Sequence, residues 1–252
     1  MGMGDEVMVT GEARRLQEKD SRTVLVVDKR GRPRWHPVWQ GNARIARAPG
    51  RHQQVLLNGS GQRPYVDYRH TTDQRWAYTD WRAAPGEIFL TGAERAIAVP
   101  AGAILVEPHI KAKASPNKQW GWERWQTLVE LLRPMGPVVQ VGRAGTPVLA
   151  GSTFIETADF RLACAVVEKC IAAVLPEGGL HHAAAALGRP AVVIFGGHCL
   201  PANTGYDAHV NLFNGTAETI GWRIPHDGAQ RCMAAIAPAD VAAEVRRIIE
   251  RT

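Results

Sequence analysis

Apolar residues in this chain come in short unbroken runs rather than in alternation with polar ones. TVLVVD (residues 23–28), QVLLNG (54–59), EIFLT (87–91), AILVEP (103–108), PVVQVG (137–142), CIAAVLP (170–176) and AVVIFGG (191–197) all fit that description. Such runs predict strands covered by helices on both faces, as in a parallel sheet. Helical spacing lies between several of them, over residues 6–18, 122–132, 160–169, 180–187 and 238–251. The last of these opens with Pro-Ala-Asp, a helix-start signature. Strand–helix alternation of this kind predicts an α/β fold with mostly parallel sheets.

The two halves differ in texture. Residues up to about 100 are rich in Arg, Trp and loop residues, whereas those from 101 onward form a regular β-α-β series. Val99-Pro100-Ala101-Gly102 interrupts the pattern and marks the predicted boundary, giving units of 1–100 and 101–252.

A length of 252 residues is enough for one large core or two small ones. No run approaches the roughly 18 apolar residues of a membrane span. MGMGDEVMVTGEARR lacks a secretory apolar region and a myristoylation pattern, which predicts a cytoplasmic protein. Cys164, Cys170, Cys199 and Cys232 show no C-x-x-C spacing, and the first two are expected as buried thiols. The net charge of +6 points to an anionic partner: a phosphorylated small molecule, a lipid surface or nucleic acid.

Three stretches carry candidate chemistry. In PEGGLHHAAAALGRP (176–190), an acid and two glycines stand between a strand end and a helix start, where backbone N–H groups and the helix dipole favour an anion. A turn with a packed histidine explains the local pattern equally well. In EPHIKAKASPNKQWGWERWQTLVELL (107–132), Lys111, Lys113 and Lys118 follow a strand end and precede a helix. The helical spacing of Trp122, Trp125, Leu128 and Leu132 predicts core positions. In GMGDEVMVTGEARRLQ (2–17), Asp5 stands at a helix start, as a cap or as a base. His181, His198, His209 and His226 match no ligand spacing and are expected in structural or exposed roles.

Together these stretches resemble glycosyltransferase family 9, the group of the ADP-heptose:lipopolysaccharide heptosyltransferases. The likeness rests on GMGDEVMVTGEARR, NKQWGWERWQTLVELL and EGGLHHAAAALGRPAVVIFGG, in that order. It implies a GT-B architecture of two Rossmann-like domains. The reduced N-terminal one (1–100) would face the acceptor, and the C-terminal one (101–252) would hold a nucleotide sugar. The last helix is a candidate to pack back on the N-terminal domain.

Carried onto this chain, the resemblance gives Asp5 as general base toward an acceptor hydroxyl and Lys118 as the contact to donor phosphates. Glu177, Gly178, Gly179, Leu180 and His182 fall on the donor-binding segment; by their charge alone, Lys111 and Lys113 are added as candidate donor contacts. His182, rather than His181, matches the family histidine. Glu177 and Gly178 depart from the family's Asp-Thr/Ser pair, and the strand that precedes the Gly-Asp turn in the family has no counterpart after Met1. Either the first sheet lacks that strand or the start is placed late.

The reading that follows is an inverting, metal-independent sugar transfer to a glycan or glycolipid, with no cofactor and with contact at the inner membrane face. One alternative is a catalytically degenerate nucleotide-sugar-binding protein. Another is a phage-type enzyme acting on modified nucleic-acid bases, suggested by Arg30, Arg32, Arg34, Trp35, Trp39, Arg44, Arg47 and Arg51.

Overall fold

The computed structural model describes residues 2–111 and 114–251. The chain opens with α1 (Met3–Lys19), which begins three residues before the predicted start. The Asp5 carboxylate reaches back to the Gly2 N–H at 2.9 Å and fixes the first turn.

Strands β1 (Val24–Val27), β2 (Ile45–Ala46) and β3 (Gln54–Leu57) form a small parallel sheet in the order β2-β1-β3. Val7, Val9 and Ala13 of α1 bury themselves against Val24, Val26 and Ile45. The predicted strand EIFLT is not one. Ile88 and Leu90 do enter this core, but the backbone around them bonds to side chains. The Glu87 N–H donates to Thr10 Oγ1 at 2.6 Å, and the Phe89 and Leu90 carbonyls accept from Arg161 and Arg95 at 2.6 and 2.8 Å. With those groups satisfied, no neighbouring strand is needed.

After the short α2 (Gly92–Arg95) comes the larger sheet. It is built from β4 (Ile104–Val106), β5 (Val138–Gly142), β6 (Thr153–Glu156), β7 (Ala172–Pro176), β8 (Ala191–Ile194) and β9 (Val210–Leu212). Its order is β6-β5-β4-β7-β8-β9, parallel throughout. The order reverses between β4 and β7, so the carboxyl ends of these two strands flank the switch-point crevice where open α/β sheets bind ligands. The sequence did not predict β6 and β9, which are partly exposed edge strands.

Helices α3 (Trp122–Leu132) and α8 (Pro238–Ile249) cover one face of this sheet, and α4 (Phe160–Lys169) and α5 (Gly179–Ala186) the other. Two shorter helices, α6 (Pro201–Thr204) and α7 (Asp227–Ala234), lie in the connections beyond β8 and β9. Trp125, Leu128 and Leu132 pack with Ile104 and Val174, each burial contributing about 1.5–3 kcal/mol. Among the described residues, the apolar stripe of the closing helix, Val241, Ala242 and Val245, packs on the larger sheet.

Two features join the sheets. First, α1 lies directly on α5, so closely that a Cβ at Gly4 would overlap the His182 ring. A Cβ at Gly179 would come within 2.9 Å of the Met3 Cβ. Second, the irregular stretch 63–83 crosses to the larger sheet as a strap. The Trp76 N–H donates to the Gly221 carbonyl at 2.8 Å and the Arg223 N–H to the Gln74 carbonyl at 2.8 Å. The Asn203 amide donates to the carbonyls of Thr79 and Trp81, and the Tyr78 hydroxyl to that of His198.

Candidate functional site

The crevice between β4 and β7 holds a buried ion pair. Glu177 follows β7, and Lys118 closes a 3₁₀ turn (Pro116–Lys118) whose Ser115 accepts from the Asn117 N–H. The Lys118 ammonium donates to Glu177 Oε2, with only 14% and 6% of the two side chains exposed. Burial opposes charge on Lys118, but the Cys199 sulfur and the Glu177 carboxylate outweigh it and raise its pKa. Burial likewise opposes charge on Glu177, and Lys118, then His181, hold its carboxyl below the usual range. Cys199, against this pair, is pushed up to about 12 by burial and by Glu177.

The two histidines of PEGGLHH serve separate ends. His181 Nδ1 accepts the Gly178 N–H at 2.9 Å, so its proton sits on Nε2 and goes to the Thr204 carbonyl at 2.7 Å. His182 Nδ1 meets the Tyr206 hydroxyl at 2.6 Å, and its Nε2 faces Glu177 Oε1 at 4.0 Å. Burial lowers the pKa of both, His182 much further, so both are neutral at pH 7.

Ligand-type atoms of Glu177, His181 and His182 lie within 4.8 Å of one another, a spacing that can hold a cation. The donor set does not fit one. An ammonium already occupies Glu177, and both His181 nitrogens are committed to backbone groups. The first α5 N–H groups, at Gly179 and Leu180, have no hydrogen-bond partner among the described residues.

Across the α1–α5 contact lies Asp5, one residue beyond Gly4. Besides the Gly2 N–H, its oxygens accept Arg63 Nε at 3.1 Å and the Tyr65 hydroxyl at 2.7 Å. Asp5 is therefore both the helix-start cap and a buried acceptor at the root of the strap. Beside it is a cavity of about 90 Å³ bounded by Met8, Leu57, Arg63, Tyr65 and Trp81. None of Arg63, Tyr65 or Trp81 stood out in the sequence, because nothing local ties them to Asp5.

The remaining predicted residues scatter. Lys111 is exposed on the loop after β4, and Lys113 lies outside the described residues. Trp122, expected in the core, is 43% exposed, because α3 begins there and turns only Trp125 inward. The Arg- and Trp-rich stretch is largely used internally. Arg32, Arg34 and Arg44 pair with Asp28, Glu6 and Glu87, and Trp39 is fully buried, donating to the Glu6 carbonyl. All four cysteines are free and buried. No helix among the described residues is long and apolar enough to cross a membrane.

No protein-family model and no curated protein matches the chain by sequence. Solved structures match it by fold. The iron-containing dodecameric glycosyltransferase TibC from enterotoxigenic E. coli H10407 superposes with a TM-score of 0.66 at 14% identity, over 100% of this chain and 74% of that one. A family 9 glycosyltransferase from Veillonella parvula gives 0.65 at 11% identity, over 100% and 95%. ADP-heptose lipopolysaccharide heptosyltransferase II of E. coli gives 0.51 at 20% identity, over 66% of this chain, which spans 54% of that enzyme's length. Two parallel sheets joined through the α1–α5 contact, with these superpositions, make this a GT-B-type α/β protein that resembles the family 9 glycosyltransferases in fold.

Proposed function

We propose that the protein is a glycosyltransferase that moves a sugar from a nucleotide sugar to the hydroxyl of a glycan or glycolipid acceptor. The observation that carries this reading is the meeting of α1 and α5. It sets a buried carboxylate, Asp5, beside a switch point furnished with Lys118 and the free N–H groups of α5. TibC has been solved with ADP-D-beta-D-heptose, which makes an ADP-linked donor the first to try. Residues 1–100 are then the acceptor side and residues 101–252 the donor side.

In the mechanism, the acceptor hydroxyl attacks the anomeric carbon on the face opposite the leaving group. A carbon–oxygen bond forms, the bond to the diphosphate breaks, and Asp5 takes the proton. Lys118 and the amides of Gly179 and Leu180 stabilise the departing diphosphate, the task a metal ion performs in other enzymes. For this, Lys118 must exchange Glu177 for phosphate, and Asp5 must release the Tyr65 hydroxyl or Arg63 to receive the acceptor. The cavity next to Asp5 is the acceptor's place once the strap withdraws.

A panel of ADP-, UDP-, GDP- and CDP-sugars tests this, scored for donor turnover by wild type and Asp5→Asn. General-base loss is expected to cost about 10²–10⁴-fold in rate while donor affinity is kept. Equal background rates in both proteins would sink the transferase reading.

A second reading has its own support. Lys118 is neutralised by Glu177, and Asp5 is held by three donors, as suits a protein that binds nucleotide sugars without turnover. Selective thermal stabilisation by one nucleotide, without turnover in wild type, identifies that case.

A further inference from the structure

One segment lies over both halves of the crevice. The side chains of the strap, residues 63–83, pack as a small cluster of their own. Tyr65 and Val66 gather with Met8, Trp76, Tyr78, Trp81 and Ala83, apart from the cores of the two sheets. At the root of the strap, the Tyr65 hydroxyl donates to Asp5 Oδ1 at 2.7 Å, the bond that the proposed mechanism gives to an acceptor hydroxyl. Further along, the Tyr78 hydroxyl meets the Cys199 thiol, which lies against the Lys118–Glu177 pair. The same segment thus covers the proposed base and the proposed phosphate partner.

Docking of the strap leaves polar atoms unpaired. Gln62 Oε1 at its root, His198 Nδ1 beside the Trp76 ring and Asn203 Oδ1 beneath Thr79 and Trp81 are all buried. None of the three has a hydrogen-bond partner among the described residues. Each such atom costs stability while it is shut off from water, and lifting the strap rehydrates it.

The two ends of the strap differ. Gly61 has a left-handed φ of +80°, and nothing lies within 4 Å of where a Cβ would stand, so the chain can turn there. Gly86 is seated on α1, where a Cβ would come within 2.7 Å of the Val7 carbonyl. One end is a free pivot and the other a fixed anchor. A small cluster outside the main cores, tied down through hydrogen bonds, is a unit that opens well short of global unfolding.

We propose that residues 63–83 form an autoinhibitory gate. Docked, it puts the Tyr65 hydroxyl in the acceptor's place and Tyr78 over Lys118 and Glu177. Undocked, it admits a nucleoside diphosphate and the acceptor together. This rests on the nucleotide-sugar reading and adds to it one opening step that both substrates share.

Hydrogen exchange on the unmodified chain is the first test. The Trp76 and Ala83 N–H groups, bonded to the Gly221 and Asn203 carbonyls at 2.8 Å, report undocking. They are expected to exchange at least about ten-fold faster than the N–H groups of β7. The tightest binder among ADP, UDP, GDP and CDP is expected to speed them further, because it binds the open form. Strap amides that exchange as slowly as β7, or that the bound nucleotide slows, overturn the gate.

The second test fastens the strap. Arg75 and Trp222 are antiparallel bridge partners, flanked by the bonds from Trp76 to Gly221 and from Arg223 to Gln74. Such a non-hydrogen-bonded pair stands about 4.5 Å apart at Cα, within the roughly 4.4–6.8 Å that a disulfide spans. Arg75→Cys with Trp222→Cys, oxidised, is expected to bind the nucleotide at least about ten-fold more weakly than the same protein reduced, since the competent fraction falls. The reduced form controls for the two lost side chains. Equal affinity in both redox states overturns the gate and leaves the nucleotide-sugar reading standing. If no nucleoside diphosphate binds wild type, that reading falls and the gate falls with it.

Discussion

Lys118 and Glu177 form a buried ion pair at the carboxyl end of β7, each partly compensating the other for being out of water. Removing one partner strands a charge in the interior. Glu177→Gln is expected to destabilise the protein by about 3–5 kcal/mol, whereas Glu177→Gln combined with Lys118→Met recovers most of that loss. Denaturant titrations of the two variants decide it. A single variant within about 1 kcal/mol of wild type would show that the pair is not coupled in solution.

Gly4 offers a test whose sign is diagnostic. In an open helix, glycine to alanine gains about 0.5–1 kcal/mol. Here the added methyl meets the His182 ring, so Gly4→Ala is expected to lose about 1–3 kcal/mol. His182→Ala in the same chain relieves the clash. A Gly4→Ala protein more stable than wild type would mean that α1 and α5 do not pack this closely.

Acid should weaken the fold through its imidazoles. Burial is the first cause of the lowered pKa of His181, His182, His198 and His209, the last two reaching about 3 and about 4. These histidines are neutral when folded and take protons near pH 6.5 when unfolded. Stability is therefore full above pH 7 and falls as pH drops below about 6.5, by up to about 1.4 kcal/mol per pH unit for each histidine. The depressed Glu177 adds a further loss below about pH 4.5. Unfolding free energies measured at pH 7.5, 6 and 5 check this, and a flat profile over that range would contradict it.

Metal independence has its own readout. Dialysis against a chelator should leave sugar transfer within about two-fold of its starting rate, since in the proposed mechanism Lys118 and α5 supply the positive charge. Zinc or manganese should not raise the thermal midpoint, because the Glu177–His181–His182 group has no free set of donors. Metal-dependent turnover would show that Lys118 yields Glu177 to a cation.

By itself the sequence determined what local pattern controls. Continuous apolar runs became β1, β4, β5, β7 and β8, because a strand buried on both faces has no polar alternation. The 3.6-residue spacing placed α3, and the glycine pair placed the start of α5. The acid and the two histidines of PEGGLHH stood out as a candidate, and the fold sets them between the end of β7 and the start of α5.

Only the tertiary structure decided which side chains meet. EIFLT looked like a strand until Thr10, Arg95 and Arg161, distant in sequence, took its backbone groups. Lys118 pairs with Glu177 across 59 residues, and Asp5 finds Arg63 and Tyr65 in a strap with no periodic signal. That the same strap reaches Asn203 and Gly221 could be recognised only once the two sheets stood side by side. Periodicity reports which face of an element is apolar. Sheet order and helix contacts, set by long-range packing, report what that face touches, and the site is made of those contacts.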